Sequence, residues 1–433
     1  MRIIWLTLGV AGLLAGCQSS SGTLKPRPAP EPLVMGDAVN ETNIRSVQFY
    51  RGRLEASYPV LYLDVAQPLT LEFDELLPED RRESDFFVDF INCDARWQPS
   101  NLLPIEFYEG FSQKRIDLFR RSEFTRLPYV HYSFSFPQDG EAFKISGNYI
   151  LKVYRGSDPD HPVLTRRFVV ADRRIGIGLK YLLDGRLERQ QLRQFSFEIQ
   201  TQGLRVFNPA LDLQVMVLQN FRWDQPARLQ QPVFQSEGRF EYQINLEQQF
   251  RSGNEYRFHD VASVRFLSES IQEVYEGEDL HEVYLFADTP RLRNALGSRM
   301  DRNGSFFIRV QEWPDPDIQA DYVRNVFTLR APPRPEGEAV YLTGRFCDWQ
   351  ARPEYRMAYS DSLGMYQAEI LLKQGSYDYA YTVLRPGERL PDESLLEGPH
   401  FEGENFYTIL VYYREPGDRS DRLIGYQPVN YYD

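Results

Sequence analysis

His131-Tyr132-Ser133-Phe134-Ser135-Phe136 sets three aromatic residues on one side of an extended chain and His131, Ser133 and Ser135 on the other. A period of two belongs to a β-strand with one face on a core and one in water. The pattern recurs along the chain. Phe195, Phe197 and Ile199 alternate with Ser196, Glu198 and Gln200. Phe240, Tyr242, Ile244 and Leu246 alternate with Glu241, Gln243 and Asn245, and Tyr377, Tyr379, Tyr381 and Val383 with Asp378, Ala380 and Thr382. Hairpin-type turns are expected at Asp139-Gly140, Asp184-Gly185 and Asn303-Gly304. Helical periodicity is scarce; Asp260 to Tyr275 is the stretch that could hold a short helix. Many short strands with frequent turns predict an all-β fold of three consecutive immunoglobulin-like or related β-sandwich domains.

Composition agrees. Aromatic residues make up 14% of 433, with 27 Tyr and 29 Phe against 6 Met, and flat rings suit a pleated, half-buried surface. A formal net charge of -13, with no local basic stripe, argues against nucleic acid as a partner. A Pro-rich break, Arg330-Ala-Pro-Pro-Arg-Pro-Glu-Gly337, reads as a linker. A softer boundary falls near Arg173-Arg174-Ile-Gly-Ile-Gly178. The expected domains are therefore 41–175, 176–330 and 331–433, each near the size of one β-sandwich.

The chain opens on Met1-Arg2, an apolar run from Ile3 to Leu14, then Ala15-Gly16-Cys17. The run is too short to span a bilayer and has the form of a secretory signal, expected over 1–16. Leu14-Ala15-Gly16-Cys17 resembles the lipobox of bacterial lipoproteins, in which the Cys thiol is acylated and the chain is cut just before it. The bland alternative is a plain signal peptide with an incidental Cys. Lipidation at Cys17 is the expectation, followed by a Ser- then Pro-rich tether over 17–40. Gln18, where an Asp would mark inner-membrane retention, favours the outer membrane. Cys93 and Cys347 could pair, but two separate buried thiols are the better reading.

The first segment carries a more specific likeness. It contains Asn43-Ile-Arg-Ser-Val-Gln-Phe-Tyr50, Leu69-Thr-Leu-Glu-Phe-Asp-Glu-Leu76 and Cys93-Asp-Ala-Arg-Trp97. Glu106-Phe-Tyr-Glu-Gly-Phe111, Pro128-Tyr-Val-His-Tyr-Ser-Phe134 and Phe143 to Tyr154 follow. In order and spacing these resemble the type IX secretion system plug proteins over about residues 40–175. One departure is visible: the family pattern has Asn just before Thr125, where this chain has Phe124. The resemblance implies a non-enzymatic accessory component of type IX secretion. Such a protein would close the periplasmic mouth of a large outer-membrane translocon barrel, its partner, while the lipid held it at that membrane. In the last segment, Gly344-Arg-Phe-Cys-Asp-Trp349 and Gly375-Ser-Tyr-Asp-Tyr379 resemble early-set domains related to glycogen-binding modules. That likeness makes Trp349 a possible sugar platform and an outer-membrane carbohydrate-binding lipoprotein the alternative function, although a core role for Trp349 is favoured.

Motifs for catalysis are missing: there is no G-x-S-x-G elbow, H-E-x-x-H pair, P-loop or paired C-x-x-C. The five His are scattered, so no local metal spacing exists and no cofactor or metal is expected, although spatial assembly stays open. His131 could serve as a base but reads better as a hydrogen-bonded sheet residue. Asp74-Glu75 and Glu79-Asp80 read as solvated turns, and Asp158-Pro-Asp-His161 and Asp315-Pro-Asp317 as loop punctuation rather than Ca²⁺ loops.

Overall fold

The computed structural model describes residues 35–78, 80–180, 194–251, 254–292, 301–398 and 405–429. The signal segment 1–16, Cys17, Glu79, the Asp184-Gly185 turn and His400 lie outside the described residues.

Strands make up nearly half of the described chain, in several mainly antiparallel sheets that pair into three sandwiches. In the first, one sheet runs in the order Ala38–Val39, Pro162–Ala171, Gly147–Arg155, Phe86–Cys93 and Lys114–Arg115, with Val60–Tyr62 added parallel to Pro162–Ala171. The expected tether thus ends early, because Ala38 and Val39 already pair with Thr165 and Leu164. The facing sheet is Ile44–Arg51, Leu69–Leu76, Tyr129–Phe136 and Leu118–Arg121. Tyr132, Phe134 and Phe136 point into the core with Phe73, Phe90 and Phe168, as their alternation requires.

The second sandwich is discontinuous in sequence. One sheet holds Gly176–Lys180, Gln194–Gln200, Arg239–Asn245 and Phe234–Ser236. The other holds Ala227–Leu229 and Leu213–Gln219, completed by Tyr407–Tyr413 and Arg422–Val429 from the end of the chain. The third sandwich lies between these two pieces. Its sheets are Arg257–Asp260, Gly375–Leu384 and Phe306–Ile308 with Ala339–Thr343, and Ile271–Glu276, His281–Leu285, Tyr322–Leu329, Met365–Lys373 and Ala358–Ser360.

This topology corrects the expected boundary at 330–337. Tyr322–Leu329 and Ala339–Thr343 belong to the two facing sheets of one sandwich, and their side chains share one core. The Pro-rich run is the crossing between those sheets, fixed by Arg330 N–H donating to Asp288 O at 2.8 Å and Arg334 N–H to Tyr366 Oη at 2.6 Å. Proline ends a strand whether the next strand is in another domain or another sheet. The short helix allowed for Asp260 to Tyr275 is also corrected, since this stretch runs from the end of one strand into Ile271–Glu276. At Asn303-Gly304 both residues have positive φ, 53° and 76°, and Ser305 N–H closes the turn onto Arg302 O at 3.2 Å.

Several strands are buried on both faces, among them Gly375–Leu384, where the alternation predicted one wet face. In Gly147–Arg155 and Pro162–Ala171 the outer face carries Ile150 and Val169, which pack on Met216, Leu218, Leu410 and Tyr412 of the second sandwich. Tyr412 Oη donates to Asn148 Oδ1 at 2.7 Å across this seam. In Gly375–Leu384 the polar residues Asp378 and Thr382 are buried as well.

Candidate functional site

The seam between the first and third sandwiches is polar, and it begins with register. Asp74 on Leu69–Leu76 lies directly across from His131 on Tyr129–Phe136. Both point away from the aromatic core because Phe73 and Tyr132 take the opposite face. Asp74 and Glu75, expected in a solvated turn, are each only 1% exposed. Consecutive strand residues face opposite ways, so the two acids serve different places. Glu75 meets Arg155 Nη1 at 2.7 Å and Tyr132 Oη at 3.2 Å. Asp74 meets the third sandwich: its Oδ2 accepts from Lys373 Nζ at 2.7 Å and Tyr322 Oη at 2.7 Å, while Oδ1 bonds His131 Nδ1 at 2.8 Å.

Burial pushes the Asp74 carboxyl up, but Lys373 and His131 outweigh it and hold it below the usual range. Burial pulls the Lys373 ammonium down in turn, against the opposing effect of Asp74. Lys373 Nζ also donates to Asp317 O at 2.7 Å and sits 4.1 Å from the centre of the Tyr129 ring. A buried pair so fully hydrogen-bonded fixes the relative placement of two elements more than it adds net stability. Beside it, Glu72, His131 and Asp317 gather, with one ligand atom from each lying within 4.8 Å of the others. Burial raises Glu72 above the usual carboxylate range, with His131 and a bond from Tyr50 opposing. Asp317 Oδ2 accepts from Arg120 Nη2 at 2.9 Å, so this acid in the expected loop run 315–317 is part of the seam.

A cleft of about 530 Å³ opens alongside, lined by Phe124, Arg126, Glu276, His281, Glu312 and Trp313 among others. Arg126 N–H donates to Asp321 Oδ2 at 2.9 Å and its guanidinium pairs with Glu276. Phe124 has φ 60°, and its ring stacks on Trp313 with centroids 4.9 Å apart and planes at 14°. The left-handed region favours Asn and Gly, which accounts for the Asn expected here.

Trp349 lies in a different junction. Its Nε1 donates to Tyr256 Oη at 3.1 Å, and the Arg222 guanidinium lies 5.6 Å from its ring centre. A cavity of about 70 Å³ adjoins it, bounded also by Phe221, Trp223, Arg166 and Arg345. Trp349 is partly buried, with its polar atom and one side of its ring engaged. Cys93 and Cys347 are separate buried thiols, and burial pushes them up to about 12 and about 11. His161 Nδ1 bonds Asp158 Oδ2 at 3.0 Å.

The sequence pattern marked His131 and the run 315–317 separately but could not join them. It missed Lys373 and Tyr322 altogether. The one usable signal for Lys373 was a charge ending an otherwise apolar strand stretch, Ile370-Leu-Leu-Lys373.

Together these features define a protein of three β-sandwiches locked by one apolar seam and one buried ionic seam. Residues 44–172 match the family model for "Type 9 secretion system plug protein 1st domain". A crystal structure of a hypothetical protein from Parabacteroides merdae ATCC 43184 is 30% identical and superposes with a TM-score of 0.83, covering 91% of this chain and 98% of that one. Native alpha-2-macroglobulin from Escherichia coli, in a crystal structure spanning domains NIE-MG1, is 10% identical over 47% of this chain and 90% of that one. Its TM-score of 0.18 carries no structural argument. No curated protein matches the sequence. The match over 44–172 supports a type IX secretion-associated role.

Proposed function

We propose that the protein is a non-enzymatic plug of type IX secretion that closes the periplasmic mouth of a large outer-membrane translocon barrel. The observation that carries this reading is the family match over residues 44–172. The architecture supports it. A gate must resist deformation, and three sandwiches joined by buried seams have little freedom to lose on docking. A lipid at Cys17 would confine the plug at the outer membrane, facing the periplasm, and raise its effective concentration at the barrel. The early-set likeness falls on a turn at 344–349 and a strand at 375–379 of the third sandwich, which we read as structural. Binding of carbohydrate at Trp349 is disfavoured by the Arg222 and Tyr256 contacts that already engage this ring.

The test is a pull-down of the tagged lipoprotein from detergent-solubilised envelopes, with mass spectrometry of co-purifying barrels, alongside a permeability assay of the deletion strain. A very large barrel in the pull-down and increased leakage of large solutes on deletion are expected. Repeated pull-downs without such a barrel, together with wild-type permeability, would overturn the reading.

A further inference from the structure

Glu72 and His131 stand on neighbouring strands of the first sandwich, and Asp317 comes from the short helix Pro316–Gln319 of the third. We propose that Glu72, His131 and Asp317 form a divalent transition-metal site, of the class Zn²⁺ fills, that clasps the first sandwich to the third. The inference is independent of the plug reading.

His131 carries the argument. The residue is 7% exposed, and its Nδ1 is bound to Asp74 at 2.8 Å. Asp74 already accepts from Lys373 and Tyr322, so it is the ionised acceptor and the proton of that bond sits on Nδ1. Nε2 is then the ring nitrogen with a free lone pair, and Glu72 and Asp317 gather at this imidazole. That nitrogen is sealed from water and has no hydrogen-bond partner. A buried ring nitrogen without a partner is unfavourable, and a cation is a partner that completes it. A carboxylate on the far nitrogen of a histidine ligand is the arrangement that fixes the ring and raises its basicity towards a metal.

The donor set selects the metal. One imidazole nitrogen and two carboxylates suit zinc and its first-row neighbours, whereas Ca²⁺ and Mg²⁺ take shells of oxygen. Four-coordinate zinc with bonds of ~2.0–2.1 Å sets neighbouring ligand atoms roughly 3.4 Å apart. The three donors lie within 4.8 Å, so small rotations of the two carboxylates bring them to a common centre. Two carboxylates meet here beside a buried imidazole. Arg120 offsets Asp317 from the solvent side, and the 40% exposed Asp317 side chain leaves an entry path.

Full-length protein stripped by chelator is titrated with Zn²⁺ by calorimetry and with Co²⁺ by visible absorption. One Zn²⁺ per chain at micromolar affinity or tighter is expected, with d–d bands for Co²⁺ and a raised Tm. Loss of a ligand in Asp317→Asn or His131→Gln should weaken binding by about tenfold or more. Asp315→Asn, on the same helix start but outside the three donors, should bind as the unmodified chain does. If His131→Gln does not fold, Glu72→Gln and Asp317→Asn, both at partly exposed positions, decide the matter. No binding tighter than millimolar in the unmodified chain, or equal binding in Glu72→Gln and Asp317→Asn, would overturn the proposal.

Discussion

Lys373 and His259 show how single buried groups govern this molecule. Lys373 and Asp74 are each 1% exposed, and removing one partner strands the other charge. Lys373→Met is expected to destabilise the protein by about 3–5 kcal/mol, measured by urea unfolding, and the double variant with Asp74→Leu to recover a large part of the loss. His259, fully buried, bonds Asn325 Oδ1 through Nε2 at 2.8 Å and Ser270 Oγ through Nδ1 at 3.0 Å. Asn325 Nδ2 donates to Val323 O at 3.0 Å, so Oδ1 is the acceptor and the imidazole is the neutral Nε2–H form. Burial pushes its pKa from 6.5 down to about 4, against the opposing bond from Asn325. The folded pKa is depressed, so this contribution is complete above pH 6.5 and is lost as pH falls towards 4. It amounts to about 3 kcal/mol across that window. Urea midpoints between pH 7 and pH 4.5 should fall more steeply in the unmodified chain than in His259→Gln. A parallel pH dependence in the two would refute the assignment. Phe124 shows the opposite relation between residue and fold. Its left-handed backbone costs about 1–2 kcal/mol for a residue with a bulky Cβ substituent, while an offset ring stack such as that on Trp313 returns roughly 0.5–1.5 kcal/mol.

Strands and the breaks between them divide the chain differently from what the Pro-rich run 330–337 suggests. A fragment 331–433 would contain Ala339–Thr343 and Gly375–Leu384 but lack Tyr322–Leu329, the central partner of Met365–Lys373. Expressed alone, 331–433 should fail to fold, whereas 255–398 should give a cooperative β-rich domain by far-UV circular dichroism and thermal melting. A stable, folded 331–433 fragment would contradict this division. The alternation of aromatic and polar residues read correctly in Phe197 to Gln200 and at Phe134 and Phe136, where one face meets water or loop. It misread the face of His131 and that of Tyr377 to Val383, where the second face is covered by other parts of the chain. Polar residues on such a face look solvated in sequence, because a hydrogen-bonded seam and a wet surface use the same side chains.

Across the molecule, the apolar seam between first and second sandwiches and the ionic seam between first and third should make unfolding cooperative. Leu410 is fully buried in the apolar seam and faces Met216, its partner across the paired strands Leu213–Gln219 and Tyr407–Tyr413. Leu410→Asp places an unpaired charge there and should lower the Tm of that seam. Scanning calorimetry should then resolve two transitions where the unmodified chain shows one, because the outer faces can part while each sandwich core survives. A single transition in the variant, shifted but undivided, would argue that the sandwiches are stabilised separately from this contact.

Local chemistry was enough to establish the β class, the aromatic cores, the turn at Asn303-Gly304 and the motifs of the first sandwich. Each depends on neighbours a few residues away, through the period of the strand and the dihedral preferences of Gly and Asn. Tertiary structure decided the return of 405–429 into the second sandwich, the burial of Asp74 and the meeting of Glu72, His131 and Asp317. Asp74 and Lys373 are 299 residues apart. Nothing within a strand's own period records which distant surface will cover its outer face, so a charge destined for a buried seam and one destined for water are written alike.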